Sequence, residues 1–134
     1  FLLTSFMAIA GLPLLFFPRK YTALLINLWS KILLSFFRAF DGLDWKIIGE
    51  ENIPKGPFIL ASKHQSIWDT IFFTAYFNDA AMVLKKILIY IPAYGWHALK
   101  AKIIWVDRNA KGKALKHLLR MAKECSKDAY GKYA

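Results

Sequence analysis

The first forty residues constrain the fold most. Residues 1–17 carry no charged side chain, and Pro18-Arg19-Lys20 closes the run with two cations. A run of this length sits at the lower limit for crossing a bilayer, and Gly11 and Pro13 interrupt it, so it suits the end of a longer span. A secretory signal is the competing reading, but no small-residue cleavage site follows. Residues 21–40 predict a helix whose polar residues Asn27, Lys31, Ser35 and Arg38 make one narrow stripe, the rest being mainly Leu, Ile, Trp and Phe. A wide apolar face with a thin basic stripe suits a helix lying in a bilayer interface. The competing arrangement is a core helix packed on a partner. The two segments, joined at Pro18, are expected to form a membrane-associated helical hairpin in one leaflet.

Composition supports lipid over water. Hydrophobic residues make up 57% of the chain and aromatics 16%, with mean hydropathy +0.31. Its 134 residues are enough for one compact domain. The expected division is 1–40 as the membrane segment and 41–134 as part of an α/β domain. Cys125 is the only cysteine, so no internal disulfide forms, and it reads as a small apolar residue on a helix face. No cysteine or histidine spacing matches a metal site. The net charge of +10 gathers at the end: residues 85–134 carry a net +9, while residues 41–84 carry a net −3. Such a basic region suits nucleic acid, anionic lipid or a phosphate-bearing substrate. The apolar N-terminus favours lipid, and no nucleic-acid signature is evident.

Beyond Asp41-Gly42 the pattern alternates. Residues 45–49 read as an edge strand, 58–62 as a buried strand, and 81–84 and 103–106 as two further strands. Helical spacing covers 66–77, 87–100 with a break at Pro92, and 110–127, where Leu115, Leu118, Leu119, Ala122 and Cys125 share one face. Strands alternating with helices predict an α/β domain with a largely parallel sheet flanked by helices.

Between the second strand and the next helix stand His64 and Asp69. Histidine is the side chain best matched to proton transfer near neutral pH, and a carboxylate on its other ring nitrogen would fix its tautomer. No serine or cysteine nucleophile is needed if the base acts on a substrate hydroxyl. Five residues of ideal helix turn through about 140°, so the pair would share no helical face. His64 must then lie in the strand-to-helix turn and Asp69 in the first helical turns. The competing reading is a strand-end histidine and a helix-start aspartate that never meet. Free N–H groups at that helix start suit a developing oxyanion, and Lys63 is near enough in sequence to serve there. Arg108, ending the last strand, is a candidate phosphate ligand, the alternative being a surface arginine paired with Asp107. Lys85 and Lys86 could border the same cleft or form a solvated basic edge. His97 has no assigned role, and His117 is expected to face solvent.

At these residues the chain resembles the 1-acylglycerol-3-phosphate (lysophosphatidic acid) acyltransferases. Lys63-His64-Gln65-Ser66-Ile67-Trp68-Asp69 fits their Asn-His-x-Ser-x-x-Asp motif, with its His-x4-Asp core, except at Lys63. Ile91-Pro92-Ala93-Tyr94-Gly95-Trp96, followed by Ile103-Ile104-Trp105-Val106-Asp107-Arg108, is similar to their second block. Their third, Phe-Pro-Glu-Gly-Thr-Arg type block is absent, so the chain is expected to be the N-terminal part of a longer protein. The resemblance implies transfer of a fatty acyl group to the 2-hydroxyl of lysophosphatidic acid, giving phosphatidic acid. It implies His64 and Asp69 as catalytic residues, Arg108, Ser66 and Lys63 as substrate-binding residues, and no metal. It further implies no cofactor beyond an acyl-CoA or acyl carrier protein thioester as co-substrate, and a place on membrane lipid at the cytoplasmic face. Two alternatives stand beside it. One is acyl transfer to another lysolipid or to glycerol 3-phosphate, and the other is a non-catalytic basic module on the membrane surface.

Overall fold

The computed structural model describes residues 2–56, 58–107 and 112–133. Helix α1 (Leu2–Ala10) ends where Gly11 N–H bonds back to the Met7 carbonyl. Pro13 sits in the first turn of a short 3-10 segment, Leu12–Phe16, where its missing N–H removes no helical bond. Helix α2 (Arg19–Asp41) then runs back along α1, and Trp29 Nε1–H donates to Thr4 Oγ1 at 3.2 Å. Gly42, at φ +64°, ends α2 in the left-handed conformation that glycine adopts at no steric cost.

The two faces of α2 are the reverse of a helix in water. Thr22, Asn27, Ser30 and Leu34 are buried, whereas Leu24 (63% exposed), Leu28 and Phe40 point outward. The expected stripe of Asn27, Lys31, Ser35 and Arg38 is therefore divided. Asn27 turns inward, and the other three are exposed, Arg38 pairing with Asp44 at 3.1 Å. By length and composition α2 is, among the described residues, the one helix able to cross a membrane.

Helix α3 (Ile67–Tyr76) packs on the inward face of α2, with Leu34, Ile71 and Ala75 at the centre of the contact. Strand β1 (Val83–Lys85) leads into a 3-10 turn (Lys86–Tyr90), helix α4 (Tyr94–Lys100) and strand β2 (Ile104–Val106). The two strands pair in parallel, Val83 opposite Ile104 and Lys85 opposite Val106. Close packing of α4 on the 3-10 turn needs Gly95, since a Cβ there would come 1.9 Å from the Ile89 carbonyl oxygen. Ala98, Ala101 and Ile103 form a second core with Ile26, Met82 and Leu84. Arg19 ties the start of α2 to this part: Nη1 donates to Asp79 at 2.9 Å and Nε to the Ala101 carbonyl at 3.1 Å. Helix α5 (Gly112–Tyr133) packs against β2.

The fold is thus mainly helical, with a small parallel sheet of two strands among the described residues. The strands expected at 45–49 and 58–62 do not form. Neither stretch pairs into a sheet, and they expose Ile48 (85%) and Ile59 (90%). An apolar run can specify which face would be buried, but it cannot supply the neighbouring backbone that makes a strand. The expected apolar face of α5 is open in part, with Leu115 and Leu119 exposed. His117 is not simply solvated, because its ring lies on Trp105 at 4.1 Å between centroids.

Candidate active site

The site grows from the start of α3. Ser66 is the N-cap, its backbone extended at φ −151° and ψ 172°, so its side chain can fold over the first helical turn. Its hydroxyl oxygen accepts from Trp68 N–H at 3.2 Å. Asp69, three residues on, reaches back and completes a capping box. Its Oδ1 accepts from Ser66 N–H at 3.0 Å and from the Ser66 hydroxyl at 2.9 Å. Its Oδ2 accepts from Gln65 N–H at 2.8 Å.

The same Oδ2 stands 3.1 Å from His64 Nδ1. His64 lies in the turn and Asp69 in the first turn of α3, so the chain reversal brings together two side chains that a continuous helix would separate. The donated hydrogen bonds, foremost from Gln65 N–H, hold the Asp69 carboxyl well below the usual carboxylate range, against an opposing push from desolvation. Asp69 is therefore an ionised acceptor, and the Nδ1 facing it must carry the proton. That leaves the lone pair of the ring on Nε2. The two side chains differ in access: His64 is 69% exposed and Asp69 is 18% exposed. A sheltered carboxylate holding an open imidazole by one nitrogen is an arrangement able to accept a proton from a substrate hydroxyl.

Of the other residues singled out in the sequence, Lys63 is exposed beside His64. The Ser66 hydroxyl is occupied within the turn. Arg108 lies outside the described residues. Lys85 ends β1, and Lys86 donates to Asp107 at 3.2 Å with its ammonium 5.7 Å from the Trp105 ring centre. The role of Gln65, whose backbone N–H is the shortest donor to Asp69, is not apparent from its side chain. The Ser66-x-x-Asp69 spacing is the sequence signal for the capping box that places this amide.

Away from the dyad, Trp68, Phe72 and Tyr76 stack along one face of α3, at 5.1 and 5.7 Å between successive ring centres. Trp45 packs across the first two. This row borders a cleft of about 230 Å³ between α2 and α3, lined by Leu34, Trp45, Phe72, Ala75 and Tyr76 with Lys31 and Ser35.

A family model described as Acyltransferase matches residues 44–130. The 1-acyl-sn-glycerol-3-phosphate acyltransferase of Pseudomonas aeruginosa is 36% identical over 115 residues, covering 86% of this chain and 44% of that protein. A Saccharomyces cerevisiae protein of the same name is 36% identical over 75 residues, covering 55% of this chain and 25% of its own length. The chain thus spans less than half the length of these curated relatives. No solved structure matches it.

Proposed function

The chain belongs to the acyltransferase family, and from that premise we propose that it moves a fatty acyl group from a thioester donor to the 2-hydroxyl of lysophosphatidic acid, giving phosphatidic acid. The observation that carries this reading is the 3.1 Å contact between His64 Nδ1 and Asp69 Oδ2. His64 Nε2 takes the proton of the acceptor hydroxyl as its oxygen attacks the thioester carbonyl. Asp69 holds the ring and offsets the charge of the imidazolium. When the tetrahedral intermediate collapses, the C–S bond breaks and the thiol leaves with the proton from His64. The donor is a coenzyme A or acyl carrier protein thioester.

Arg108 holds the phosphate of the acceptor through its bidentate fork, and Lys63 adds positive charge beside His64. The outward apolar faces of α1 and α2 rest in membrane lipid on the cytoplasmic side. Their exposed Leu2, Phe6, Leu24 and Phe40, with Phe16 in the segment between them, support this, because a water-facing hairpin would turn such residues inward.

The test is acyl transfer to lysophosphatidic acid by a full-length protein carrying this chain, with glycerol 3-phosphate and other lysolipids as competing acceptors. His64→Ala should abolish transfer while folding and membrane binding persist. Retention of more than a few per cent of turnover refutes the base. Faster transfer to a competing acceptor moves the substrate assignment to that acceptor. Arg108→Ala should mainly raise KM for the lysolipid, and Arg108→Lys should restore it only partly.

A further inference from the structure

We infer that Ser66 is a positioning residue for the catalytic pair, acting through Asp69 rather than touching the substrate. This rests on the reading of His64 and Asp69 as base and partner given above.

The Ser66 hydroxyl has one proton, and the structure spends it on Asp69 Oδ1 at 2.9 Å. Its oxygen accepts from Trp68 N–H at 3.2 Å. Both capacities are directed into the turn. The backbone of the same residue donates to Oδ1 at 3.0 Å, so Ser66 grips one carboxylate oxygen twice. The other oxygen meets Gln65 N–H at 2.8 Å, His64 Nδ1 at 3.1 Å and, at a longer 3.4 Å, the same Ser66 N–H. The division matters for geometry. A carboxylate anchored at Oδ1 by two donors cannot rotate about its Cβ–Cγ bond without breaking both, so Oδ2 stays pointed at Nδ1. Loss of the hydroxyl leaves one anchor on Oδ1, and the carboxylate gains freedom to turn away from the histidine. A general base then spends less time oriented for proton transfer, and its imidazolium loses part of its stabilisation.

Helix capping alone could also make Ser66 important, so the test must separate the two roles. Glycine at an N-cap costs only a few tenths of a kcal/mol relative to serine, yet it has no hydroxyl. Threonine keeps the hydroxyl. In a full-length protein carrying this chain, Ser66→Gly should lower kcat by about tenfold, less than the 10²–10⁴ that loss of the general base itself costs. It should leave KM for lysophosphatidic acid nearly unchanged and the melting temperature close to that of the parent. Ser66→Thr should restore most of kcat.

A raised KM with unchanged kcat would make Ser66 a substrate ligand and overturn the inference. A drop in melting temperature large enough to account for the whole loss of kcat would reduce it to a helix cap and also overturn it. His64→Ala run in parallel separates the two levels. If His64→Ala is active, the base itself is wrong. If it is inactive while Ser66→Gly behaves as the parent, the positioning role alone fails.

Discussion

The two ends of α3 are both capped by side chains, but for opposite purposes. At the start, Ser66 and Asp69 satisfy free N–H groups from within the helix's own sequence, and the capping carboxylate also faces an exposed histidine. At the end, the carbonyls of Thr74 and Ala75 would lack helical partners. Asn27 of α2 reaches across and donates to both, at 2.9 and 3.1 Å. Ser30 adds a bond to the Thr74 hydroxyl at 2.6 Å, and that hydroxyl in turn meets the Thr70 and Ile71 carbonyls. The first cap is local, open and chemically poised. The second is distant in sequence, buried and structural. Hydrogen-bonded polar groups therefore do not mark function by themselves. What separates the two clusters is that one leaves a titratable side chain facing outward.

The largest effect should come from the open end. Asp69→Asn replaces an acceptor that can stabilise an imidazolium with an amide that cannot, so kcat should fall by about 10²–10⁴. Steady-state kinetics on a full-length protein would show this, and a loss below about tenfold would erase the distinction between the ends. At the buried end, Asn27→Ala leaves two buried carbonyls without their side-chain donor, a cost of about 1–3 kcal/mol of stability. Denaturant unfolding should register that cost while kcat per folded molecule stays level. A fall in kcat at full folding would mean that the buried cap also shapes the chemistry.

The outer side of α2 gives a third, smaller contrast. Leu28 is 52% exposed, next to the inward Asn27 and Ser30. Leu28→Glu should weaken partitioning onto lipid vesicles by about tenfold, consistent with roughly 1.5–3 kcal/mol for a leucine withdrawn from an apolar phase. High salt alone should not strip the unaltered protein from vesicles, because apolar burial is not screened.

The smallest effect is in acid stability. The folded pKa of Asp69 is lowered, so its contribution to stability is fully present above the ordinary aspartate value of about 3.9 and is lost as pH falls through the folded value. The difference in melting temperature between the parent and Asp69→Asn should hold from pH 7 to about 5, then shrink on further acidification. A gap that widens towards low pH would contradict the hydrogen bonds assigned to this carboxylate.

These contrasts also explain what could be seen in the sequence. The proximity of His64 and Asp69 was legible because it is set by five residues and one turn, and local geometry leaves few alternatives. The Ser66-x-x-Asp69 spacing was equally local, and the capping box it signals is present. The helices of the hairpin followed from their apolar runs. The inward face of α2 did not, because Lys31, Ser35 and Arg38 continue the period of Asn27 while the packing surface turns through Thr22, Ser30 and Leu34. Only a partner such as α3 decides between those stripes. Residues 45–49 and 58–62 carry a strand pattern without forming strands for a related reason: β pairing is a property of two segments, and one segment's pattern is silent about the other. Arg108 lies outside the described residues, so its place beside the dyad stands as a proposal.

The cap that Asn27 supplies also bears on the order in which the molecule is made. A helix of ten residues has little stability of its own in water, and α3 finds the partners of its last carbonyls 47 and 48 positions earlier in the chain. During synthesis the N-terminal segments emerge first. By the time the ribosome has released the turn that holds His64 and Asp69, α2 is already present as a template on which α3 can be completed. Completion of that turn is thereby deferred until α2 is in place, so the support of the dyad precedes the dyad in synthesis.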